Sequence, residues 1–463
     1  MHIKRVRNSG ASTILQFITE DATPSIADFT AEQDQITVRY EKNKTILYCG
    51  IGPKENCTVS LLRNTSANAA RIVQKLKRRK IACTMPNLPL DKSKVERAIV
   101  EGILLGLYRF EKYKSEKNIK LQQIDLLNAT MTPLTIQKYK IICDAVNYTR
   151  DLVNENASVC TPPHLMREAR KLAGSGLCSV TVLDEKALKQ KKLNLISAVG
   201  GGSTTPPVLI IIEYSGSSRI KEKTALIGKG VTFDSGGQNL KSTGKIETMR
   251  EDMAGAAAVL GVFSACVKLK PSINLIGVIP AVHNAIGSAS FFPGDIYTSY
   301  SGKSVEIWST DAEGRLILAD AIAYCRKTFK PAAIIDCATL TGGILSALGN
   351  VLAGLFSNND EMAQNLFNAG EATGERLWRF PLYKEYSDSL KGDLGDIRNL
   401  SKFKKGHASS IIGAAFIKEF VDTTPWAHID IAGTAFNEGN ARGVVPQFGT
   451  GFGVRLLLDY LGP

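Results

Sequence analysis

The sequence predicts an α/β protein of two domains. The C-terminal domain is read as a mostly parallel (mixed) sheet sandwiched by helices, the N-terminal one as a smaller α/β domain. Three observations carry this reading. Val208-Leu209-Ile210-Ile211-Ile212, Thr224-Ala225-Leu226-Ile227-Gly228, Ile273-Asn274-Leu275-Ile276-Gly277-Val278 and Ala332-Ala333-Ile334-Ile335-Asp336 are apolar runs, as expected of strands buried on both faces. Helical stretches fall between them, notably Asp252 to Leu269 and Leu316 to Phe329, which is the βαβ alternation. A chain of 463 residues is also long enough for two or three domains. The expected boundaries are 1–131 for a basic N-terminal α/β domain, 132–155 for a connecting helix and 156–463 for a catalytic domain.

Taken in order, Ile46-Leu47-Tyr48-Cys49-Gly50 reads as a strand ending at glycine. Ser66 is placed to cap a helix through about Lys77. Asp91 is placed to cap another, with Val95, Ile99, Ile103 and Leu107 at four-residue spacing. Thr132-Pro133 opens the connecting helix, with Thr as N-cap and Pro in the first turn. Tyr139, Ile142, Val146 and Val153 share one of its faces, and it stops near Asn154, ahead of Thr161-Pro162-Pro163.

Composition narrows the class. With 44% hydrophobic and 22% charged residues the chain reads as an ordinary globular protein. No unbroken run of 18 apolar residues is present, so no membrane-spanning helix is expected. The basic start Met1-His2-Ile3-Lys4-Arg5-Val6-Arg7 lacks an apolar stretch behind it, so no signal peptide is expected. Nine cysteines without a Cys-x-x-Cys pair read as reduced thiols, and the cytoplasm is the expected compartment. The net charge is +13, and residues 1–130 hold 22 Lys/Arg against 13 Asp/Glu. The densest cluster, Lys75-Leu76-Lys77-Arg78-Arg79-Lys80, reads either as a solvated helix end or as a nucleic-acid-binding patch.

Two polar clusters carry the chemistry. In Ser309-Thr310-Asp311-Ala312-Glu313-Gly314-Arg315, three charges alternate; in extended chain they would share a side, with Gly314 allowing close backbone approach. Such charges beside an apolar helix need neutralising partners. They either pair with one another and cap the helix, or hold a hard cation or zinc. The second cluster, Gly228-Lys229-Gly230-Val231-Thr232-Phe233-Asp234-Ser235-Gly236-Gly237, is followed by Lys241 and Asp252. It lacks the Gly-x4-Gly-Lys-Ser/Thr order of a phosphate loop. Asp252 reads either as a plain N-cap or as a ligand. Together the clusters supply Asp234, Asp252, Asp311 and Glu313, plus Lys229, Lys241 and Arg315. Two divalent cations would relieve the repulsion of four carboxylates and activate a shared water.

At these residues the chain resembles the leucyl aminopeptidase (cytosol aminopeptidase) family of dimetal exopeptidases. Its signature Asn-Thr-Asp-Ala-Glu-Gly-Arg-Leu is similar to Ser309 through Leu316, and the spacing of Lys229, Asp234, Lys241 and Asp252 is also similar. Ala338-Thr339-Leu340-Thr341-Gly342 and His428-Ile429-Asp430-Ile431-Ala432-Gly433 resemble further family motifs, and the likeness covers residues 145–463 well and the first domain loosely. The resemblance implies an aminopeptidase that removes Leu-like N-terminal residues through a water bridging two divalent metal ions, Zn2+ or Mn2+. It implies Lys229, Asp234, Asp252, Asp311 and Glu313 as metal ligands. Lys241 would stabilise the oxyanion, and Arg315 would hold a bicarbonate acting as base. The Leu340 backbone would contact the reacting group. Met249, Thr339, Gly342, Ala432 and Ala435 would line the side-chain pocket, and the assembly would be a homohexamer of two trimers. Ser309 departs from the family Asn, which leaves the bracing of this loop to be explained. The histidines show no His-x3-His spacing and read as structural.

Overall fold

The computed structural model describes residues 1–24, 26–404 and 406–462. They form two compact units, one of residues 1–147 with 437–447, the other of residues 148–436 with 448–463.

The smaller unit contains β1 (His2–Val6), β2 (Thr13–Ile18), β3 (Ile36–Glu41), β4 (Lys44–Gly50), α1 (Val59–Lys75), β5 (Lys80–Thr84), α2 (Lys92–Gly106) and β6 (Gln123–Leu127). Its sheet order is β1-β6-β5-β2-β4-β3, parallel except for the β3–β4 hairpin. Asp91 caps α2 as expected, accepting from the Lys94 amide at 3.0 Å. Ser66 is not a cap. Thr58 opens α1 by accepting from the Leu61 amide at 3.1 Å. Ser66 lies buried in mid-helix and donates to the Leu62 carbonyl at 2.7 Å, an interior role open to serine as well as the cap. A buried ion pair, Arg63 Nε to Glu101 Oε2 at 2.8 Å, ties α1 to α2. Helix α3 runs over Pro133–Asn154, with Thr132 accepting from the Thr135 amide at 3.1 Å.

The larger unit continues with α4 (Pro162–Ala173), β7 (Cys178–Leu183), α5 (Glu185–Gln190), α6 (Asn194–Gly200), β8 (Val208–Ser215), β9 (Thr224–Gly228) and β10 (Gly230–Asp234). Next come α7 (Ala254–Leu269), β11 (Asn274–Asn284), β12 (Ile296–Thr298), β13 (Ser304–Glu306), α8 (Glu313–Phe329) and β14 (Ala333–Ala338). The last are α9 (Gly342–Leu348), β15 (Ala353–Ser357), α10 (Asp360–Thr373), β16 (Leu377–Arg379), α11 (Lys384–Asp388), β17 (Ile397–Arg398), α12 (Ser409–Lys418), β18 (Trp426–Asp430) and α13 (Val454–Leu461).

The main sheet runs β16-β15-β18-β14-β9-β11-β8-β7, with β10 also on β11. Its centre, β18-β14-β9-β11, is parallel; β15 joins β18 and β8 joins β11 antiparallel, so the sheet is mixed. The four apolar runs of the sequence become β8, β9, β11 and β14, nearly all buried. Helix α7, Ala-Gly-Ala-Ala-Ala at its start, lies against β9 and β14. A Cβ on Gly255 would run into the Cys337 carbonyl, so only glycine permits that approach. The stretch Ile246–Leu269 is long and apolar enough to cross a membrane, an 18-residue window of it reaching mean hydropathy 1.5, although no unbroken apolar run marks it. Most of it is buried inside the unit, the condition of a core helix. All nine cysteines are buried free thiols.

Candidate metal centre

In a parallel sheet the carboxyl ends of the strands share one edge, and polar residues collect there. Here β9, β10, β14 and β18 deliver Lys229, Asp234, Thr339 and Asp430. Lys229 is the single residue between β9 and β10. Its amide donates to the Cys337 carbonyl at 3.1 Å and its carbonyl accepts from the Ala256 amide at 2.9 Å, which fixes where its side chain starts. Beyond Asp234 the chain doubles back through Gly236 and Gly237, at φ 86° and 60°. That turn returns Lys241 to Asp234, Nζ to Oδ2 at 2.8 Å.

Asp252 does not cap α7. The residue before that helix is Met253, and no side chain caps it. Instead Asp252 Oδ1 accepts from Lys229 Nζ at 2.9 Å and from the Thr339 hydroxyl at 2.7 Å. The second cluster is also not extended. Helix α8 begins at Glu313, so Glu313 and Arg315 stand on different sides of its first turn. Helix formation wins because the apolar run from Leu316 onward is buried along its length. Glu313 Oε1 reaches Lys229 Nζ at 2.9 Å, whereas Arg315 Nη1 donates to the Asn399 carbonyl at 2.8 Å. Gly314 does allow close approach, and the group that approaches is Lys229: a Cβ there would sit 2.6 Å from its Nζ.

Asp234, Asp252 and Glu313 thus form one buried group, with a carboxylate oxygen from each within 4.8 Å of the others. Asp311 is more exposed and joins through Lys241, whose Nζ lies 2.5 Å from its Oδ1. Burial and the Glu313 charge push Asp234 up to about 6, against the pull of Lys241 and Lys229. Burial likewise holds Asp252 well above the usual carboxylate range, and Asp311 above it. Burial alone would raise Glu313, but Lys229 and Lys241 together hold it below its ordinary value. Burial alone would lower both lysines; the surrounding carboxylates hold their ammonium forms instead. Desolvation brings the buried Arg315 guanidinium down to about 10.

Two observations test whether these residues suit a metal. Asp252 Oδ2 and Glu313 Oε2 are buried with no hydrogen-bond partner, a costly state that a cation would relieve. The donors of the trio are carboxylate oxygens, a set that suits Mn2+ and that Zn2+ also accepts. The residues fit.

Sequence reasoning missed the residues that hold these groups in place. Asn284, fully buried at the end of β11, donates to Asp234 Oδ1 at 2.7 Å and to the Thr310 carbonyl at 3.0 Å. Asp430 accepts from the amides of Leu340 at 3.1 Å and Ala432 at 3.2 Å, and from the Thr341 hydroxyl at 2.6 Å, joining two of the motifs. Asn399 carried no motif at all. His428 is structural as read: buried, with Nδ1 2.6 Å from Asp336 Oδ1, whose other oxygen accepts from the Trp426 indole at 2.6 Å.

The profile of the cytosol aminopeptidase family's catalytic domain matches residues 147–458, and that of its N-terminal domain matches residues 22–117. The chain belongs to the cytosol aminopeptidase family. Relatives of the family include a probable cytosol aminopeptidase of Protochlamydia amoebophila, 40% identical over 95% of this chain and 90% of that protein. Another, from Syntrophotalea carbinolica, is 41% identical over 90% of this chain and 85% of its own. Among solved structures, a mutant of tomato leucine aminopeptidase superposes with TM-score 0.90 at 31% identity, covering 99% of this chain and 95% of its own. The bottromycin maturation enzyme BotP in complex with Mn superposes with TM-score 0.90 at 30% identity, covering 98% and 99%. This cytosol aminopeptidase family member is a metal-dependent aminopeptidase that acts on peptides. The basic N-terminal region falls within a domain of the same family, and a nucleic-acid-binding accessory role is not favoured.

Proposed function

We propose that this aminopeptidase releases Leu-like residues from peptide N-termini with two divalent ions, Zn2+ or Mn2+, held by Asp234, Asp252, Asp311, Glu313 and Lys229. The observation that carries the reading is the buried trio of carboxylates with two unsatisfied oxygens. When bound, the ions supply Lewis-acid activation of the scissile carbonyl and of the attacking water. Lys229 joins as the neutral amine, so it gives up a proton that the carboxylates otherwise keep on it.

The remaining work falls to side chains. The Lys241 ammonium stands where negative charge develops on the carbonyl oxygen. Arg315 would hold a bicarbonate through its guanidinium, and that group, when bound, would supply a general base for the attacking water. The backbone at Leu340 orients the reacting group. Met249, Thr339, Gly342, Ala432 and Ala435 form the walls that receive the first side chain. An acidic, buried site favours a free amine over an acylated one, which restricts cleavage to the chain end. The working form is a homohexamer of two trimers in the cytoplasm.

Leucine anilide and N-acetyl-leucine anilide, each with the chelated enzyme and after Mn2+ or Zn2+ is restored, test this. Only the free-amine substrate with metal should be cleaved. Undiminished hydrolysis after thorough chelation would overturn the reading.

A further inference from the structure

We infer that Asn399 is a positioning residue for the reaction, given the peptidase reading above: it holds in register the loop that leads to Asp311 and Glu313, and it seats Arg315. Asn399 is fully buried and follows β17, which runs parallel to β13 with Glu306 opposite Arg398. That register brings its side chain against the backbone at the start of the signature loop. Oδ1 accepts from the amides of Trp308 at 2.7 Å and Ser309 at 3.2 Å. Nδ2 donates to the Ser309 carbonyl at 2.6 Å. Its amide donates to the Glu306 carbonyl at 3.0 Å, and its carbonyl accepts from Arg315 Nη1 at 2.8 Å. One residue therefore engages the strand before the loop, the loop itself and the guanidinium after it.

The chemistry is specific to asparagine. The side chain pairs with the backbone as a strand neighbour would, one acceptor and one donor side by side. Aspartate lacks the donor and sets a carboxylate against the Ser309 carbonyl; glutamine is one methylene too long. The clamp also answers the question raised by Ser309. Among the described residues its own hydroxyl accepts from the Asp311 amide alone, at 3.2 Å. The bracing comes from outside the motif. Trp308 reports on it, because its indole is fixed by Glu306 Oε2 at 2.9 Å and stacked under the Arg398 guanidinium at 3.7 Å.

The test uses full-length Asn399→Ala and Asn399→Asp, loaded with Mn2+. Three quantities are read: kcat and KM on leucine anilide, the rate of Mn2+ loss to excess chelator, and the 19F line of 5-fluorotryptophan at position 308, assigned with Trp308→Phe. Outer-shell partners of metal ligands typically matter by about 10–100-fold. In both variants kcat should fall by about that factor with KM nearly unchanged, the signature of lost transition-state geometry. Mn2+ loss should quicken about tenfold or more, and only the Trp308 line should move. A folded variant with wild-type kcat, Mn2+ loss and Trp308 line overturns the assignment. If Asn399→Ala fails to fold, the nearly isosteric Asn399→Asp decides by the same readouts. If wild type does not cleave the anilide, the peptidase reading falls separately, and the Trp308 line still decides on the clamp.

Discussion

Lys229→Met removes a buried cation and leaves its partners in place. The ammonium, 2% exposed, lies 2.9 Å from both Asp252 Oδ1 and Glu313 Oε1, and 2.8 Å from the Thr339 carbonyl. At an effective dielectric of about 20, each charge contact is worth roughly 6 kcal/mol before desolvation is subtracted. Breaking such a buried pair from one side costs about 3–5 kcal/mol net. The metal-free variant should lose about that much stability near neutral pH. The sign of the pH dependence follows from the raised carboxylates. Without Lys229, Asp252 and Glu313 lose the charge that pulls both carboxyls down, so both shift upward in the folded state and the folded variant binds extra protons as pH falls. The loss should therefore shrink on going from about pH 7.5 to about pH 5.5. Urea unfolding of chelated wild type and variant at both pH values measures it. A loss below about 1 kcal/mol at the higher pH, or one that grows at the lower pH, would refute the reasoning.

Other outcomes follow from the same geometry. Mn2+ binding near pH 7 should release protons, because Asp252 and Lys229 sit above their ordinary values and Asp234 reaches about 6. Affinity should thus rise with pH, and calorimetry in two buffers of different ionisation enthalpy would count the protons. Gly314→Ala should displace Lys229, since the added methyl would meet its Nζ and Cε; metal-loaded kcat should fall by about 10–100-fold. Thr58→Ala should cost about 1 kcal/mol through the lost α1 cap and leave metal-loaded kcat unchanged.

Much of the architecture was legible because its signals are local. The apolar runs at 208–212, 224–228 and 332–336 needed no partner to be read as buried strands, and Thr132-Pro133 and Asp91 announced their helices through cap chemistry. Ser66 misled because serine serves a helix interior as well as an end, and its four-residue back-bond resembles nothing in sequence. Alternation of charge at 311, 313 and 315 pointed to an extended segment, yet burial of the following helix draws Glu313 and Arg315 into its first turn. The carboxylates were found by motif, since each stands in a distinctive run. Their supports were not: Asn399 lies 90 residues from Ser309, and Asn284 lies 50 from Asp234. Nothing in a lone asparagine reveals which backbone it will meet, because that depends on the pairing of β17 with β13 and of β10 with β11.

The most direct test is the metal content of the purified chain after dialysis against Mn2+ or Zn2+, measured by mass spectrometry for wild type, Asp252→Asn and Glu313→Gln. Two ions per chain in wild type, with fewer retained by each variant, is the expected result. Wild type that holds no divalent ion, or variants that hold as many as wild type, would contradict it.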